Sequence, residues 1–344
     1  MTIHAINRRA FLCGCAGIAA STFAFSRRLM AQAGGAGPFR IDTHSHFTVP
    51  KLYQLATARG VSQPTLKDWT PRKTLDQMDE GGVATSILSI SDPGVHFGDN
   101  TAARALAREC NEYAARVIAD HPGRFGQFAV LPLPDVDGAL AEATYALDTL
   151  KADGIVVLSS YDGKYLGNAV YAPLWSELNR RRVVVYCHPF CAACATQATL
   201  NDGQARGVEF VFDTTRAILS VLQTGTITRF PEIRFIWSHG GGTVPFITSR
   251  LAGAASNLNV MAELQKFHYD TAQAFNPYTL PSFKKMVPVS RILFGTDFPL
   301  GGGSAATVAK GLADNGGFTA TELRAIERDN ALALLPTLRT NGRS

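Results

Sequence analysis

The sequence predicts a (β/α)8 TIM barrel, and three observations carry the prediction. Eight short apolar runs alternate with longer amphipathic stretches along the chain. The runs are rich in Val, Ile and Phe and are mostly continuous rather than alternating, the pattern of parallel strands buried on both faces. The 344 residues also hold one barrel of about 250 residues with insertions and a leader.

In chain order the strands are expected at Arg40–His46, Ala84–Ser91, Phe125–Pro132, Gly154–Ser159, Val183–His188, Ile233–His239, Phe267–Thr271 and Arg291–Thr296. Helices are expected between them. Ala102–Asp120 carries Leu106, Cys110, Tyr113, Ala114 and Val117 at helical spacing, and Gly138–Lys151 and Tyr171–Arg181 behave alike. Asp135 and Asp213 are expected N-caps, and Gly82, Gly123 and Gly154 expected stops or turns. Pro189 to Val208 reads as a long loop, a candidate lid or subunit contact after strand 5. The competing architecture is an open doubly wound sheet. That fold usually has a Gly-rich phosphate loop after its first strand, whereas here the first strand ends in His-Ser-His.

Residues 1–33 read as a twin-arginine export signal, which leaves 34–344 as the barrel domain. Asn7-Arg8-Arg9-Ala10-Phe11-Leu12 carries the arginine pair, Ala10 to Phe25 is mildly apolar, and Ala31-Gln32-Ala33 is a small-x-small cleavage site. The apolar run is shorter than the ~20 residues of a spanning helix, so no membrane span is expected in the mature chain. The leader holds four arginines and no acid, so removing it lowers the formal net charge from +5 to +1. A near-neutral mature chain gives no reason to invoke nucleic acid or an acidic membrane surface. A periplasmic location would permit disulfides. Cys191 and Cys194 are spaced as a redox pair or metal knuckle, but no second cysteine pair completes a four-sulfur zinc site.

Chemistry gathers at strand ends. Strand 1 ends in His44-Ser45-His46, and residues two apart on a strand point the same way. Two imidazoles on one face suit a borderline metal such as Zn²⁺. Tyr186-Cys187-His188-Pro189 ends strand 5, Trp237-Ser238-His239-Gly240-Gly241-Gly242 ends strand 6, and Phe294-Gly295-Thr296-Asp297-Phe298-Pro299 ends strand 8. All four lie at the C-terminal face, where barrel enzymes keep their active sites. The glycines after His239 either cradle an anion or let backbone pack closely. Strand 4, Gly154 to Ser159, holds no lysine or acid. His96, His121 and His268 have no chemical partner legible in the sequence.

These motifs, with Met78-Asp-Glu-Gly-Gly-Val83 and Pro122-Gly-Arg-Phe125, resemble the amidohydrolase superfamily. The resemblance is to the branch of aminocarboxymuconate-semialdehyde decarboxylase and the benzoate-type decarboxylases. The stretch from Ser89 to Leu166 looks most like the 6-methylsalicylate decarboxylases. It implies that His44, His46, His188 and Asp297 hold one divalent metal, Zn²⁺ or Mn²⁺, and that His239 is catalytic beside it. It implies a substrate-binding role for Arg250 across a homodimer interface. The family's other substrate arginine, in the loop after strand 1, has no counterpart here, since Lys67 and Arg72 do not match its motif. The activity implied is non-oxidative decarboxylation of an aromatic or conjugated carboxylic acid, with His239 or Asp297 delivering the proton. The alternatives are hydrolysis of a lactone, amide or ester at the same site, or a metal-binding protein that has lost catalysis.

Overall fold

The computed structural model describes residues 39–190, 202–255, 258–301 and 303–340. The export segment, Cys191 and Cys194 lie outside them. Among the described residues no helix is long and apolar enough to cross a membrane.

Eight parallel strands run in sequential order: β1 (Arg40–His46), β2 (Val83–Ser89), β3 (Phe125–Val130), β4 (Gly154–Leu158), β5 (Val184–His188), β6 (Arg234–Trp237), β7 (His268–Asp270) and β8 (Ile292–Leu293). Each sits within two or three residues of its expected place. The sheet closes on itself, which excludes the open doubly wound alternative. The Thr43 N–H donates to the Phe294 carbonyl (2.9 Å), the Asp297 N–H to the His44 carbonyl (2.8 Å) and the His46 N–H to the Phe298 carbonyl (2.7 Å). This closure draws the segment after β8 against β1 and brings Asp297 beside His44.

Helices pack outside the strands by the expected logic. In Asn100–Asp120 the buried residues are Ala103, Leu106, Ala107, Cys110, Asn111, Ala114 and Val117, one stripe at helical spacing. Asp135 caps its helix by accepting from the Gly138 N–H, and Gly82 ends Pro71–Gly81 in the left-handed region at φ 65°. Trp175, Phe235 and Trp237 form part of the core between sheet and helices, with Phe235 and Trp237 stacked at 5.3 Å.

Three expectations need correction. Asp213 is no cap: it sits inside the helix Asp202–Gln223, buried, where it accepts from Ser159 Oγ and Tyr165 Oη. Gly154 is no stop: it opens β4, where a Cβ would strike the Val184 carbonyl and the Phe128 ring. The stretch after strand 5 is helical from Asp202, so Asp202 to Val208 is not loop; residues 191–201 lie outside the described ones. A short antiparallel hairpin, Ser160–Tyr161 with Lys164–Tyr165, follows β4.

Candidate metal centre

The site is built from the ends of β1, β5 and β6 and the turn after β8. His44 and His46 share one face of β1, and their Nε2 atoms lie 3.0 Å apart. His188 ends β5 with its ring centroid 4.7 Å from that of His46. His239 opens the turn after β6 at φ 54°, and Asp297 sits at φ 62°. Such positive φ is costly for a residue with a Cβ and persists where surrounding structure enforces it. The glycines after His239 allow close packing: a Cβ on Gly242 would collide with the Val211 carbonyl and with Thr215 Oγ1. They seat the turn against the neighbouring helix.

Donor atoms of His44, His188, His239 and Asp297 all lie within 4.8 Å of one another. His46 Nε2 lies 3.1 Å from Asp297 Oδ1, as does His44 Nε2. Thus five sequence-predicted residues meet at one point, all buried. Their composition and spacing are those of a divalent-metal site.

Hydrogen bonds behind the histidines sort them. His44 Nδ1 meets Asp270 Oδ2 at 2.8 Å, His46 Nδ1 meets the Ser89 carbonyl at 3.3 Å, and His188 Nδ1 meets the Pro189 carbonyl at 2.9 Å. Each bond fixes a tautomer and leaves Nε2 as the donor to a cation. His188 Nε2 and Asp297 Oδ1 are buried without a hydrogen-bond partner among the described residues. Orphaned buried polar atoms are expensive, and a cation between them removes the penalty. The donor set therefore fits one divalent ion. His239 differs: its Nδ1 has no partner among the described residues, and its Nε2 faces Asp297 Oδ2 at 3.4 Å.

The electrostatics agree. Burial pushes the His44 pKa down, but the Asp270 and Asp297 carboxylates outweigh it and bring it up to about 10. Burial and the neighbouring His46 and His44 hold His188 well below the usual range, so it stays neutral and able to ligate. Burial would raise the Asp297 pKa, but the His44 charge, the bond from His239 and the close imidazoles of His44 and His46 hold it well below the ordinary carboxylate range. Beneath them burial lifts Asp42 to about 6, opposed by hydrogen bonds from Thr296 and His44; it ties β1 to the Asp297 turn.

A cavity of about 230 Å³ opens on the cluster, lined by His188, His239 and Asp297 together with Gln63, Arg206, Phe210, Gln273 and Leu300. A larger cavity of about 660 Å³ lies alongside, between Arg59, Asp92–Phe97, Leu133 and Tyr161, and shares Arg206 as a wall. None of the five clustered residues lines it, so the smaller cavity is the one with chemistry. Arg250 does not join the group: it is exposed on the helix Val244–Ala254 and lines neither cavity. Arg72 pairs with Asp76 on its own helix at 2.7 Å.

Polar residues of the site that were missed in the sequence include Asp270, Gln273 and Arg206. Asp270 backs His44 and also accepts from the His239 N–H (2.9 Å) and the Ala272 N–H (3.0 Å). Gln273 donates from Nε2 to Asp297 Oδ2 at 3.1 Å. Arg206 projects from the helix after β5. Only Asp270 had a signal, as an acid that ends a barrel strand.

With this geometry in place, comparison with known proteins assigns the family. A model of the amidohydrolase family matches residues 41–337, and the chain belongs to that family. Decarboxylase yanB of Aspergillus niger is 35% identical over 324 residues, covering 86% of this chain and 87% of that protein. The 6-methylsalicylic acid decarboxylase of Penicillium expansum is 34% identical over 276 residues, covering 76% and 85%. Among solved structures, a 2,6-dihydroxybenzoate decarboxylase complexed with 2,6-dihydroxybenzoate superposes with a TM-score of 0.72 at 25% identity, covering 87% of this chain and 99% of that one.

Proposed function

We propose that this amidohydrolase is a metal-dependent, non-oxidative carboxy-lyase of a hydroxylated aromatic acid, with 6-methylsalicylate the first candidate. His44, His46, His188 and Asp297 are the ligands and His239 the acid–base group. The observation that carries the assignment is the contrast in Nδ1 partners. Three histidines have theirs anchored, as metal ligands do, whereas that of His239 has no partner among the described residues. Three imidazoles and a carboxylate suit Zn²⁺, with Mn²⁺ the second choice. The named activities of the relatives favour decarboxylation over hydrolysis.

A bound divalent cation would act as a Lewis acid toward substrate oxygen beside the scissile carboxylate. The residues of this chain supply the rest. Phe210 and Leu300 line the cavity beside the polar group and give an aromatic ring an apolar seat. A dry engineered cavity of about 150 Å³ holds benzene, so about 230 Å³ accommodates a ring with small substituents. His239 Nε2 protonates the ring carbon that bears the carboxylate. The C–C electron pair then returns to the ring and CO2 leaves, so one proton is consumed and no oxidant is needed. Asp297 Oδ2, bonded by His239 and Gln273, holds that imidazole in place.

The dimer belongs to the same reading. Phe246 is 63% exposed one turn before Arg250, and Val208 and Phe212 are exposed one turn apart on the adjoining helix. A second copy covering this face would bring Arg250 to a partner's site. Export by the twin-arginine route rests on residues 1–33 alone.

The test is CO2 release from a panel of hydroxybenzoates by metal-loaded protein, with His239→Ala as comparison. The variant should keep its metal and lose about 10²- to 10⁴-fold in turnover. Full activity in His239→Ala, or acid formation without CO2, overturns the proposal.

A further inference from the structure

We infer that Arg206 receives the substrate carboxylate and makes this site select carboxylic acids over neutral phenols; the inference rests on the carboxy-lyase reading above. Among the described residues, Arg206 is the one lysine or arginine that lines the metal-site cavity. Its helix, Asp202–Gln223, turns one face toward that cavity, with Arg206, Gly207, Phe210 and Val211 at helical spacing.

The rest of the helix is anchored. Asp213, two turns further on, accepts from Ser159 Oγ beyond β4 and from Tyr165 Oη of the hairpin. Thr215 Oγ1 accepts from the Thr243 N–H beside the glycine turn that carries His239 (2.9 Å). The arginine is thus borne on a scaffold tied to the end of β4, to the hairpin and to the turn that carries His239.

Its own bonding is incomplete. The nearest acid among the described residues, Asp92 Oδ2, lies 3.6 Å from Arg206 Nε, an ion pair beyond hydrogen-bond length. Arg206 Nε is buried with no hydrogen-bond partner among the described residues. A guanidinium offers five donors in a planar fork that matches a carboxylate. Arg250 cannot fill this role within one chain, because it lies outside the cavity.

The chemistry predicts how Arg206 contributes. The carboxylate leaves as neutral CO2, so its ion pair is strongest in the bound substrate and weakens toward the transition state. Such an interaction lowers KM without raising kcat.

The experiment titrates salicylate and its neutral analogue salicylamide into the metal-loaded full chain, its Arg206→Ala variant and its Arg206→Lys variant, with metal content measured for each. In Arg206→Ala, salicylate affinity should fall about 10- to 100-fold, the range of a charge-assisted pair. Salicylamide affinity should stay within about 3-fold in the same variant, and Arg206→Lys should recover part of the loss. Unchanged salicylate binding, or equal loss for both ligands, overturns the inference. Turnover separates it from the reading it rests on. If no acid is decarboxylated but salicylate still needs Arg206, the anchor stands and the carboxy-lyase reading fails. If Arg206→Ala decarboxylates with unchanged KM, the reading stands and the anchor fails.

Discussion

His44 and His268 are both buried histidines in strands of one barrel, at opposite ends, and their surroundings shift them in opposite directions. Burial disfavours the imidazolium at both. At the mouth, Asp270 and Asp297 outweigh burial and bring His44 up to about 10. At the bottom, burial is reinforced by Arg291 and Arg234, and His268 falls to about 3. Arg291 donates to His268 Nε2 at 3.0 Å, which holds the ring neutral. The mouth is thus built to gather positive charge, and the bottom already carries its own. The carboxylates that keep a proton on His44 hold a dication in its place once a metal competes. Orphaned atoms repeat the lesson. At the bottom, Arg234 Nε and His268 Nδ1 are unpartnered among the described residues, but both side chains are bonded through other atoms. At the mouth His188 Nε2 and Asp297 Oδ1 converge with three further donors. Convergence, not the number of orphans, marks the functional end.

Removing negative charge from the mouth breaks the contrast most. Asp297→Asn deletes a ligand and the partner of His239 together. Metal content after purification should drop to near zero, and decarboxylation should fall by about 10³-fold or more, several kcal/mol of lost charge stabilisation. A variant with full metal and full turnover would remove Asp297 from both roles. Asp270→Asn is the milder cut, since Asp270 touches His44 rather than the metal. Metal affinity, read by competition with a chelator, should weaken about 10- to 100-fold, the usual effect of losing the group behind a ligand. Unchanged affinity would mean that Asp270 merely fastens the His239 backbone.

Much of this was legible in the sequence. Buried parallel strands leave continuous apolar runs, so all eight could be placed, and the two-residue period of a strand put His44 and His46 on one face. What escaped depends on distance in space. Asp270 acts through His44, 226 residues away, and no local pattern announces that pairing. Arg206 was hidden because Gly203 and Gly207 flank it, and two glycines in a polar stretch read as loop. The chain is nevertheless helical there, held by Asp213. That residue was misread as a cap because its partners, Ser159 and Tyr165, belong to a distant turn and hairpin.

The smallest effect sharpens the comparison from the other end. The folded pKa of His268 lies below its ordinary value of 6.5, at about 3. The unfolded chain therefore binds this proton first as the pH falls. Stability from keeping His268 neutral is fully present above pH 6.5 and drains away as the pH falls toward 3. One proton corresponds to a slope of about 1.4 kcal/mol per pH unit. His268→Gln removes the titration while leaving an amide that still accepts from Arg291. Urea unfolding of both proteins between pH 6.5 and 4 should show the variant losing less stability on acidification, by about one proton in the difference between the curves. Turnover at neutral pH should be the same in both, since the barrel separates His268 from the metal site. Parallel stability curves would mean that His268 takes up its proton as readily in the folded chain as in the unfolded one, and the contrast with His44 would collapse.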